Sequence, residues 1–356
     1  MSEQIEMLSD AVERLFGDAD GSAARAEQEG WQGALWEQLE DLGIPLVLVT
    51  ESADGVGGDW DDAYAVLHAA GRHAIPLPVG EAMLAARMAE RAGLPLPGGS
   101  ASIATDCAGT LAIDEGGARF GGTLRRVPWG RDVTTVTAVL EVDGTHHVIR
   151  LRTDAAESTA HAANLAGEPR DTLVFRDARV ETATCSAPEA AMLADIASLL
   201  RTAQAVGAME ASLHRTIAYA TERKQFGRPI GKFQAVQQQL ALFGSETAAA
   251  ACAARTACHA LGTIGTDAAF AICSAKLRAN RAIGVATGAA HQVHAAIGFT
   301  HEYPLRHHTQ RLWSWRSEHG NDQVWSERLG AMVAERGAEH FWSDLTARDD
   351  RAGAPQ

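Results

Sequence analysis

The spacing of apolar residues changes twice along this chain, and those changes limit the folds that it can adopt. Residues 1–99 have the apolar spacing of helices, residues 100–185 consist of short segments rich in Val, Thr and Ile, and residues 186–346 return to helical spacing. Short β-branched segments separated by Gly, Asp and Asn are typical of antiparallel strands. The sequence therefore predicts an α+β fold with an N-terminal helical domain, a small middle antiparallel β domain and a C-terminal helical domain.

The predicted strands of the middle domain are ASIATD, GTLAID, TTVTAVLEV, THHVIRLRT and DTLVFRDARV. The C-terminal domain has the pattern of an antiparallel four-helix bundle, because its helices are long and rich in Ala, which allows close packing. The predicted bundle helices run from Ser186 to about Arg223, from about Lys232 to Leu261, from Asp267 to about Ala296, and over 304–345 with a break near Gly320. The last residues, 347–356, are predicted to form a flexible tail.

Local signals mark the ends of two of these helices. The tetrapeptide SAPE at 186–189 matches a capping box, in which Ser186 and Glu189 each accept a hydrogen bond from the other's backbone N–H group. Gly262 is predicted to end the second bundle helix, and Asp267 to cap the N-terminus of the third. These signals depend on a few neighbouring residues only, so they are direct tests of the assignment.

Charge and apolar content exclude several classes of protein. The net charge of −14 leaves no overall basic surface of the kind that nucleic-acid binding requires. No apolar run reaches the roughly 20 residues that span a bilayer, and the N-terminus has no apolar segment typical of a signal peptide. The five cysteines are scattered without the spacing of a metal site. We therefore expect a cytoplasmic protein that binds no nucleic acid, no membrane and no metal.

Two motifs in the C-terminal part are more specific. The sequence YATERKQFGRPIGKFQAVQQQLA at 219–241 places a basic turn with Gly and Pro between two helices, and HQVHAAIGFTHEYPL at 291–305 includes the end of the third helix. In this order, and at about this separation, they resemble the signatures of the acyl-CoA dehydrogenase family, and the resemblance covers nearly the whole chain. It implies an FAD-dependent enzyme that introduces an α,β double bond into an acyl-CoA thioester.

The resemblance also implies where the cofactor binds. In this family FAD lies at a subunit interface, and its adenine and pyrophosphate end is held by the helical bundle of a neighbouring subunit. The implied cofactor-binding residues are Arg223, Gln225, Phe226, Gln292 and Gly298. A guanidinium group suits a pyrophosphate because it donates two parallel hydrogen bonds. The alternative interpretation is that Arg223 is a solvated charge favoured by the helix dipole, and that Phe226 belongs to the core.

The chain departs from the family pattern on the flavin side. The Gly-Gly pair of the second motif is Ala295-Ala296 here, and each added methyl group narrows the approach to a cofactor. The tryptophan that normally lies beside the flavin ring falls on Arg126, and the hydroxyl residue falls on Pro128, which has no N–H group to donate. Trp129 is displaced from that position, so we interpret it as a packing residue.

The catalytic base is not evident. Desaturation needs a carboxylate that takes the α-proton of the thioester. The late base position of the family falls on His319, with Glu318 one residue before it, and the early base position falls at about Ala197. A shift of one residue turns a helical side chain by about 100°. Glu318 is therefore a candidate base only, and the catalytic residue is otherwise unassigned.

These departures favour one function among three. The favoured hypothesis is that the chain is a subunit of a tetrameric acyl-CoA dehydrogenase, similar to the shorter subunit of heteromeric bacterial enzymes of steroid breakdown. A longer partner subunit would then supply the base and the flavin-ring contacts. The alternatives are a self-sufficient homo-oligomeric dehydrogenase with a displaced base, and a non-catalytic scaffold that uses the bundle for association. The sequence does not identify the acyl group or the partner.

Overall fold

The computed structural model describes residues 3–346, so the predicted tail at 347–356 lies outside the described residues. The N-terminal part is helical, as predicted. Its helices are α1 (Glu3–Asp18), α2 (Ser22–Glu29), α3 (Gly33–Asp41), α4 (Trp60–Arg72) and α5 (Val79–Arg91). A capping box starts α4, since Asp59 and Asp62 each accept a hydrogen bond from the other's backbone N–H group. Gly43, with φ of 69°, follows the end of α3.

The middle part is a twisted sheet with nearly antiparallel pairing throughout. Its strands are β1 (Ala101–Ala104), β2 (Asp106–Asp114), β3 (Gly117–Pro128), β4 (Thr135–Val142), β5 (Thr145–Arg152), β6 (Ser158–Ala160) and β7 (Arg170–Cys185). The order across the sheet is β1-β4-β5-β7-β3-β2, and β6 pairs with β7. One pair differs from the antiparallel prediction: β1 runs parallel to β4, because the chain leaves β1 through the β2–β3 hairpin at the opposite edge.

Strand β3 was absent from the predicted strands. Its sequence, GARFGGTLRRVP, contains three glycines and a charged pair, so it lacks the apolar alternation of a half-buried strand. It pairs with β7 through two register shifts, one between Phe120 and Gly122 and one between Leu124 and Val127. The long strand β7 pairs with β3 along its first part and with β5 along its last part. In this way β7 joins the two halves of the sheet.

The C-terminal part is a helical bundle, as predicted. Its elements are α6 (Ala187–Glu222), a hairpin of β8 (Lys224–Gln225) and β9 (Arg228–Pro229), α7 (Gln234–Ile264), α8 (Ala269–His294), α9 (Leu305–Ser317), α10 (Asp322–Arg336) and α11 (Phe341–Thr346). The predicted break near Gly320 is confirmed, because this residue has φ of 115° between α9 and α10. The capping box at Ser186 and Glu189 is also confirmed, with N–H···O distances of 3.3 and 3.2 Å.

The junction between α7 and α8 differs from the prediction. Helix α7 continues past Gly262 to Ile264 and ends at Gly265, which has φ of 56°. The extra residues leave a 3-10 turn, Gly265–Ala268, before α8 begins at Ala269. Asp267 lies inside this turn and its side chain makes no capping hydrogen bond, so its assignment as the N-cap was wrong.

One apolar core joins the N-terminal helices to the bundle, and a second lies within the sheet. Helices α4 and α6 cross in direct backbone contact at Gly71 and Gly207. A Cβ atom added to Gly207 would lie 1.9 Å from the carbonyl oxygen of His68, so glycine is required there. Across residues 3–346, none of the helices has the length and apolar character needed to cross a bilayer.

Candidate functional site

A group of charged side chains is enclosed where the N-terminal helices, the sheet and the bundle meet. We call it the buried ion cluster; its members are Glu81 on α5, Glu168 before β7, Arg170 at the start of β7, Arg201 on α6, Arg311 on α9 and Glu318 after α9. Isolated charges are expensive to remove from water, so each must be paired by another member. These pairings place the candidate base Glu318 between the positive charges of Arg170 and Arg201.

Arg201 lies between two carboxylates. It forms an ion pair with Glu81, and its Nε atom lies 3.0 Å from Oε2 of Glu318. Its guanidinium group also lies over the ring of Trp315, 5.2 Å from the centroid. Burial disfavours the charge of Arg201, but the neighbouring carboxylates raise its pKa above the ordinary value. Arg201 therefore stays positively charged in the interior of the protein.

Glu318 is held by two arginines and an amide. Its Oε1 atom lies 2.7 Å from Nη2 of Arg170 and accepts a hydrogen bond of 3.1 Å from Asn164, while Oε2 faces Arg201. Burial alone would raise the pKa of Glu318, but the guanidinium groups of Arg170 and Arg201 hold it well below its ordinary value. A general base works best with a pKa near the working pH and with a free lone pair. The geometry thus gives Glu318 the properties of a structural counter-ion.

Glu168 forms the second acidic centre of the buried ion cluster. One of its oxygens lies 3.0 Å from Nε of Arg311, and the other accepts hydrogen bonds from Arg170 at 3.1 Å and from the indole of Trp315 at 3.0 Å. The sequence alone does not predict the roles of Glu168, Arg170, Arg201 and Arg311. Their partners lie far away in sequence, as in the 148-residue separation of Arg170 from Glu318, so no local motif marks them.

Both family positions for a catalytic base face the same small cavity. Ala197 and His319 line it together with Glu81 and Arg201, and its volume is about 10 Å³. A cavity of this size has room for one water molecule at most. Burial lowers the pKa of His319 to about 3, so its ring is neutral at pH 7. Side chains therefore almost fill the chamber around Ala197 and His319.

The residues at the flavin-ring positions have other roles. Trp129 is only 4% exposed, and the guanidinium group of Arg170 lies over its ring at 5.1 Å. Arg126 has φ of 54° and points outward to an ion pair of 3.3 Å with Asp106. Pro128 is buried at the end of β3. Trp129 and Pro128 are thus packed in the interior, and Arg126 takes part in a surface ion pair.

The first motif forms an exposed hairpin at the end of the bundle. Arg223 terminates α6, and Gln225 pairs with Arg228 across the turn made by Phe226 and Gly227. Phe226 is 91% exposed, which excludes the interpretation that it belongs to the core. Arg223 is also exposed and forms no ion pair within the described part of the chain. Its guanidinium group is free to bind an anionic group from outside.

The second motif lies beside the same end of α6. The ring of His294 stacks on Tyr219 with the centroids 4.5 Å apart, one helical turn before Arg223. Gln292 is exposed on α8. Gly298 is buried, and a Cβ atom there would lie 2.9 Å from Cβ of His294, so local packing alone already requires glycine. The structure thus places the two motifs side by side.

Ala295, which stands where the family pattern has glycine, has a strained backbone conformation. It ends α8 with φ of 54° and ψ of −140°, a conformation that is normal for glycine and strained for any other residue. The backbone therefore keeps the shape that glycine would give it, although the methyl groups of Ala295 and Ala296 are exposed beside the motif.

The candidate residues fall into two separate groups. Arg223, Gln225 and Phe226 lie at one end of α6, whereas Glu318 belongs to the buried ion cluster around Arg201. The 22 residues from Arg201 to Arg223 correspond to roughly 33 Å of helix. No groups of His, Cys, Asp and Glu among residues 3–346 are arranged to hold a metal ion. His301 and His307 instead face Glu27, at 3.8 and 3.4 Å.

Comparison with known proteins identifies the relatives of this chain. A sequence profile of the acyl-CoA dehydrogenase C-terminal domain matches residues 194–334. The acyl-CoA dehydrogenase IpdE2 of Mycobacterium tuberculosis is 29% identical over 343 residues, which cover 90% of this chain and 93% of that protein.

Solved structures share the fold over nearly the whole length. The ChsE4–ChsE5 complex of Mycobacterium tuberculosis contains a chain that superposes with a TM-score of 0.85 at 24% identity, covering 95% of this chain and 99% of that one. A variant of the Tcur3481–Tcur3483 steroid ACAD gives 0.83 at 24% identity, covering 94% and 98%. PigA with FAD and proline gives 0.81 at 18% identity, covering 95% and 99%. At these identities the likeness shows the fold alone.

Proposed function

We propose that this chain is one subunit of an FAD-dependent acyl-CoA dehydrogenase that desaturates an acyl-CoA thioester, because residues 194–334 match the C-terminal domain of that family and the chain is similar to IpdE2 over most of its length. In this proposal the chain pairs with a longer acyl-CoA dehydrogenase subunit in a hetero-oligomer, with a tetramer as the expected form. The partner supplies the catalytic base and the contacts to the flavin ring. This chain supplies the exposed end of its bundle to the partner's cofactor.

The observation that carries the proposal is the closed chamber. Both family positions for a base, Ala197 and His319, lack a carboxylate and face a cavity of about 10 Å³. Glu81, the carboxylate in the cavity lining, is paired with Arg201. Glu318, beside His319, is paired with Arg170 and Arg201. We therefore propose that Glu318 is a structural residue that helps to keep this chamber shut, and that proton abstraction takes place on the partner subunit.

The fit of the chain to FAD differs between the two ends of the cofactor. At the end of α6, Arg223 and Gln225 are exposed hydrogen-bond donors and Phe226 is an exposed aromatic ring, a set that suits a pyrophosphate and an adenine. We propose that these residues, with Gln292 and the Gly298 turn, hold that end. FAD held in this way would supply the hydride-accepting chemistry of the desaturation.

The flavin-ring end does not fit this chain. Trp129 is buried under Arg170, Pro128 has no N–H group, and Arg126 is paired with Asp106. The buried ion cluster keeps this region closed, with Glu318 providing negative charge to Arg170 and Arg201. A chain that fits one end of the cofactor and excludes the other is suited to half of a shared site.

The relatives also support a proposal for the substrate. One structural neighbour is a steroid ACAD, and another is a complex of two different chains. We propose that the acyl group is bulky, as in a steroid carboxylic acid thioester, and that the heteromeric assembly of those neighbours extends to this chain.

Two other functions follow from single features. A self-sufficient homo-oligomeric dehydrogenase requires a displaced base, and Glu318 would have to leave both arginines to serve as one. A non-catalytic scaffold is favoured by Ala295 and Ala296, whose methyl groups narrow the approach of a cofactor. The free guanidinium group of Arg223 has no use in a scaffold, so we rank the shared-site subunit first.

The visible absorption spectrum tests the proposal. The chain is purified alone, and again after co-expression with the longer acyl-CoA dehydrogenase encoded nearest to it. We expect a colourless protein alone, and a yellow complex with about one flavin per two chains. Stoichiometric flavin in the lone chain would exclude the shared-site proposal and favour the homo-oligomer. A complex that forms without any flavin would favour the scaffold.

A further inference from the structure

A second cavity lies between the N-terminal helices, the sheet and the start of the bundle. Its volume is about 330 Å³, within the range of about 300–1,000 Å³ that is typical of small-molecule clefts. Its apolar lining includes Leu84, Met88, Val139, Val148, Met192 and Ile196. We call it the α5–α6 cleft. Clefts at the junction of several structural units are common binding sites for small ligands.

The α5–α6 cleft is separate from the features already described. Its lining includes no member of the buried ion cluster, and the hairpin at Arg223 lies at the other end of α6. Met88 and Met192 face each other's helices across it, and methionine side chains adapt to apolar ligands of different shape. A ligand in this cleft would touch α5, the sheet and the N-terminal end of α6 together.

One arginine of the cleft is accessible to a negatively charged ligand. Arg87 and Arg91 lie one helical turn apart on α5, and each has a carboxylate partner, Glu90 for Arg87 and Glu189 for Arg91. Arg87 is held by Leu48 and Glu90, at 3.3 and 2.8 Å. Arg91 is more accessible, because its side chain is 61% exposed. Arg91 is therefore the arginine that the anionic group of a ligand can reach, in exchange for Glu189.

The ion pair at the mouth of the cleft permits an exchange of partners. Nη2 of Arg91 donates to Oε1 of Glu189 at 2.6 Å. The other oxygen, Oε2, accepts from the backbone N–H and the hydroxyl of Ser186, at 3.2 and 2.8 Å. If Arg91 turned to another carboxylate, Glu189 would keep its capping hydrogen bonds. A partly exposed pair of this kind contributes little to stability.

We propose that the α5–α6 cleft binds a small apolar monocarboxylate. The hydrocarbon part lies between Met88, Met192 and the valines of the sheet, and the carboxylate accepts hydrogen bonds from Arg91 in place of Glu189. The proposal does not depend on FAD or on a partner subunit, so it is tested on the full chain alone.

The probe is octanoate, with octan-1-ol as an uncharged ligand of the same chain length, and binding is measured by isothermal titration calorimetry. Arg91→Gln should weaken octanoate binding roughly tenfold, as expected for the loss of a charge-assisted hydrogen bond, and leave octan-1-ol binding unchanged. Ala92→Trp, which places a ring in the lining at a half-buried position, should abolish binding of both ligands. Arg119→Gln, at an exposed ion pair on β3, is the matched control.

Each outcome decides a part of the proposal. If octanoate does not bind at millimolar concentration, or if it binds the Ala92→Trp variant as well as the parent, the cleft is not its site. Equal octanoate affinity in the parent and in Arg91→Gln would overturn the assignment of the carboxylate to Arg91. A circular dichroism spectrum that matches that of the parent shows that a variant is folded. If Ala92→Trp does not fold, Arg91→Gln still tests the proposal.

Discussion

Arg201 links two carboxylates of the buried ion cluster, since it pairs with both Glu81 and Glu318. Replacing it by Met removes the positive charge and leaves buried negative charge without its partner. We expect Arg201→Met to lower the free energy of unfolding by about 3–5 kcal/mol, measured by urea unfolding at pH 7. Arg119→Met breaks an exposed ion pair with Asp177 and should cost less than about 1 kcal/mol. Similar losses for both variants would contradict the pairing of Arg201.

Glu318 gives a prediction about pH. Its pKa in the folded protein is below the ordinary value of 4.5, because Arg170 and Arg201 favour the charged form despite burial. The stability that it contributes is therefore complete above pH 4.5 and is lost as the pH falls toward its folded pKa. Glu318→Gln should be less stable than the parent by about 3 kcal/mol at pH 7, and the difference should shrink below pH 4.5. Urea unfolding at several pH values measures it.

Glu302→Gln is the control for this experiment, because Glu302 is an exposed glutamate of the second motif. Its effect should stay within about 0.5 kcal/mol at every pH. A difference between the parent and Glu318→Gln that stays constant down to pH 3 would show that the two arginines do not hold the carboxylate as the structure has it. A catalytic role for Glu318 would then deserve a direct test.

At the scale of elements, the sequence predicts those features that depend on neighbouring residues. The capping box at Ser186 and the break at Gly320 are confirmed, since each is determined by a few adjacent residues. Strand β3 was missed because its three glycines and charged pair hide the apolar alternation of a strand. The parallel pairing of β1 with β4 was missed because it depends on residues distant in the chain. The same reason hid the buried ion cluster, whose members have no common motif. Helix α7 continues past Gly262 to Ile264, so a single glycine does not determine where a helix ends.

The hairpin after α6 combines features that folding alone does not favour. Phe226 is 91% exposed and has φ of 53°, and Gly227 beside it has φ of 80°. Asn-Gly is preferred in such a two-residue turn, because asparagine tolerates a positive φ. Phe226→Asn should therefore leave the chain as stable as the parent, or more stable by up to about 1 kcal/mol. We expect it to weaken association with the longer subunit by about tenfold, as for an interface aromatic.

Thermal unfolding and size-exclusion chromatography of the co-expressed pair measure the two effects separately. Leu165→Asn replaces another exposed apolar side chain, in a turn before β7. It should change neither the thermal stability of the chain nor its association with the longer subunit. If Phe226→Asn associates normally, the ring has no role at the subunit interface. If it is less stable than the parent, the turn has a different conformation from the one described.

At the scale of the whole molecule, the middle of α6 and its C-terminal end have opposite properties. The middle, around Arg201, is closed by paired charges, whereas the C-terminal end at Arg223 exposes an unpaired guanidinium group and an aromatic ring. Roughly 33 Å of helix separates them, so one small ligand cannot use both. In the shared site that we propose, each of the two regions would serve a different subunit.

Arg223→Ala tests whether the C-terminal end of α6 contacts the cofactor. In the complex with the longer subunit, we expect this variant to lose flavin, with an affinity ten to a hundred times lower, roughly the effect of losing a hydrogen bond to a charged group. Circular dichroism should show an unchanged fold, since the side chain is exposed. Arg228→Ala is the matched control in the same hairpin, where Arg228 lies over the ring of Phe233 at 4.3 Å, and it should retain flavin.

Equal flavin content in the parent and in Arg223→Ala would reduce Arg223 to a surface charge favoured by the helix dipole. Equal losses in both variants would point to the overall positive charge of the hairpin, without a specific contact from Arg223.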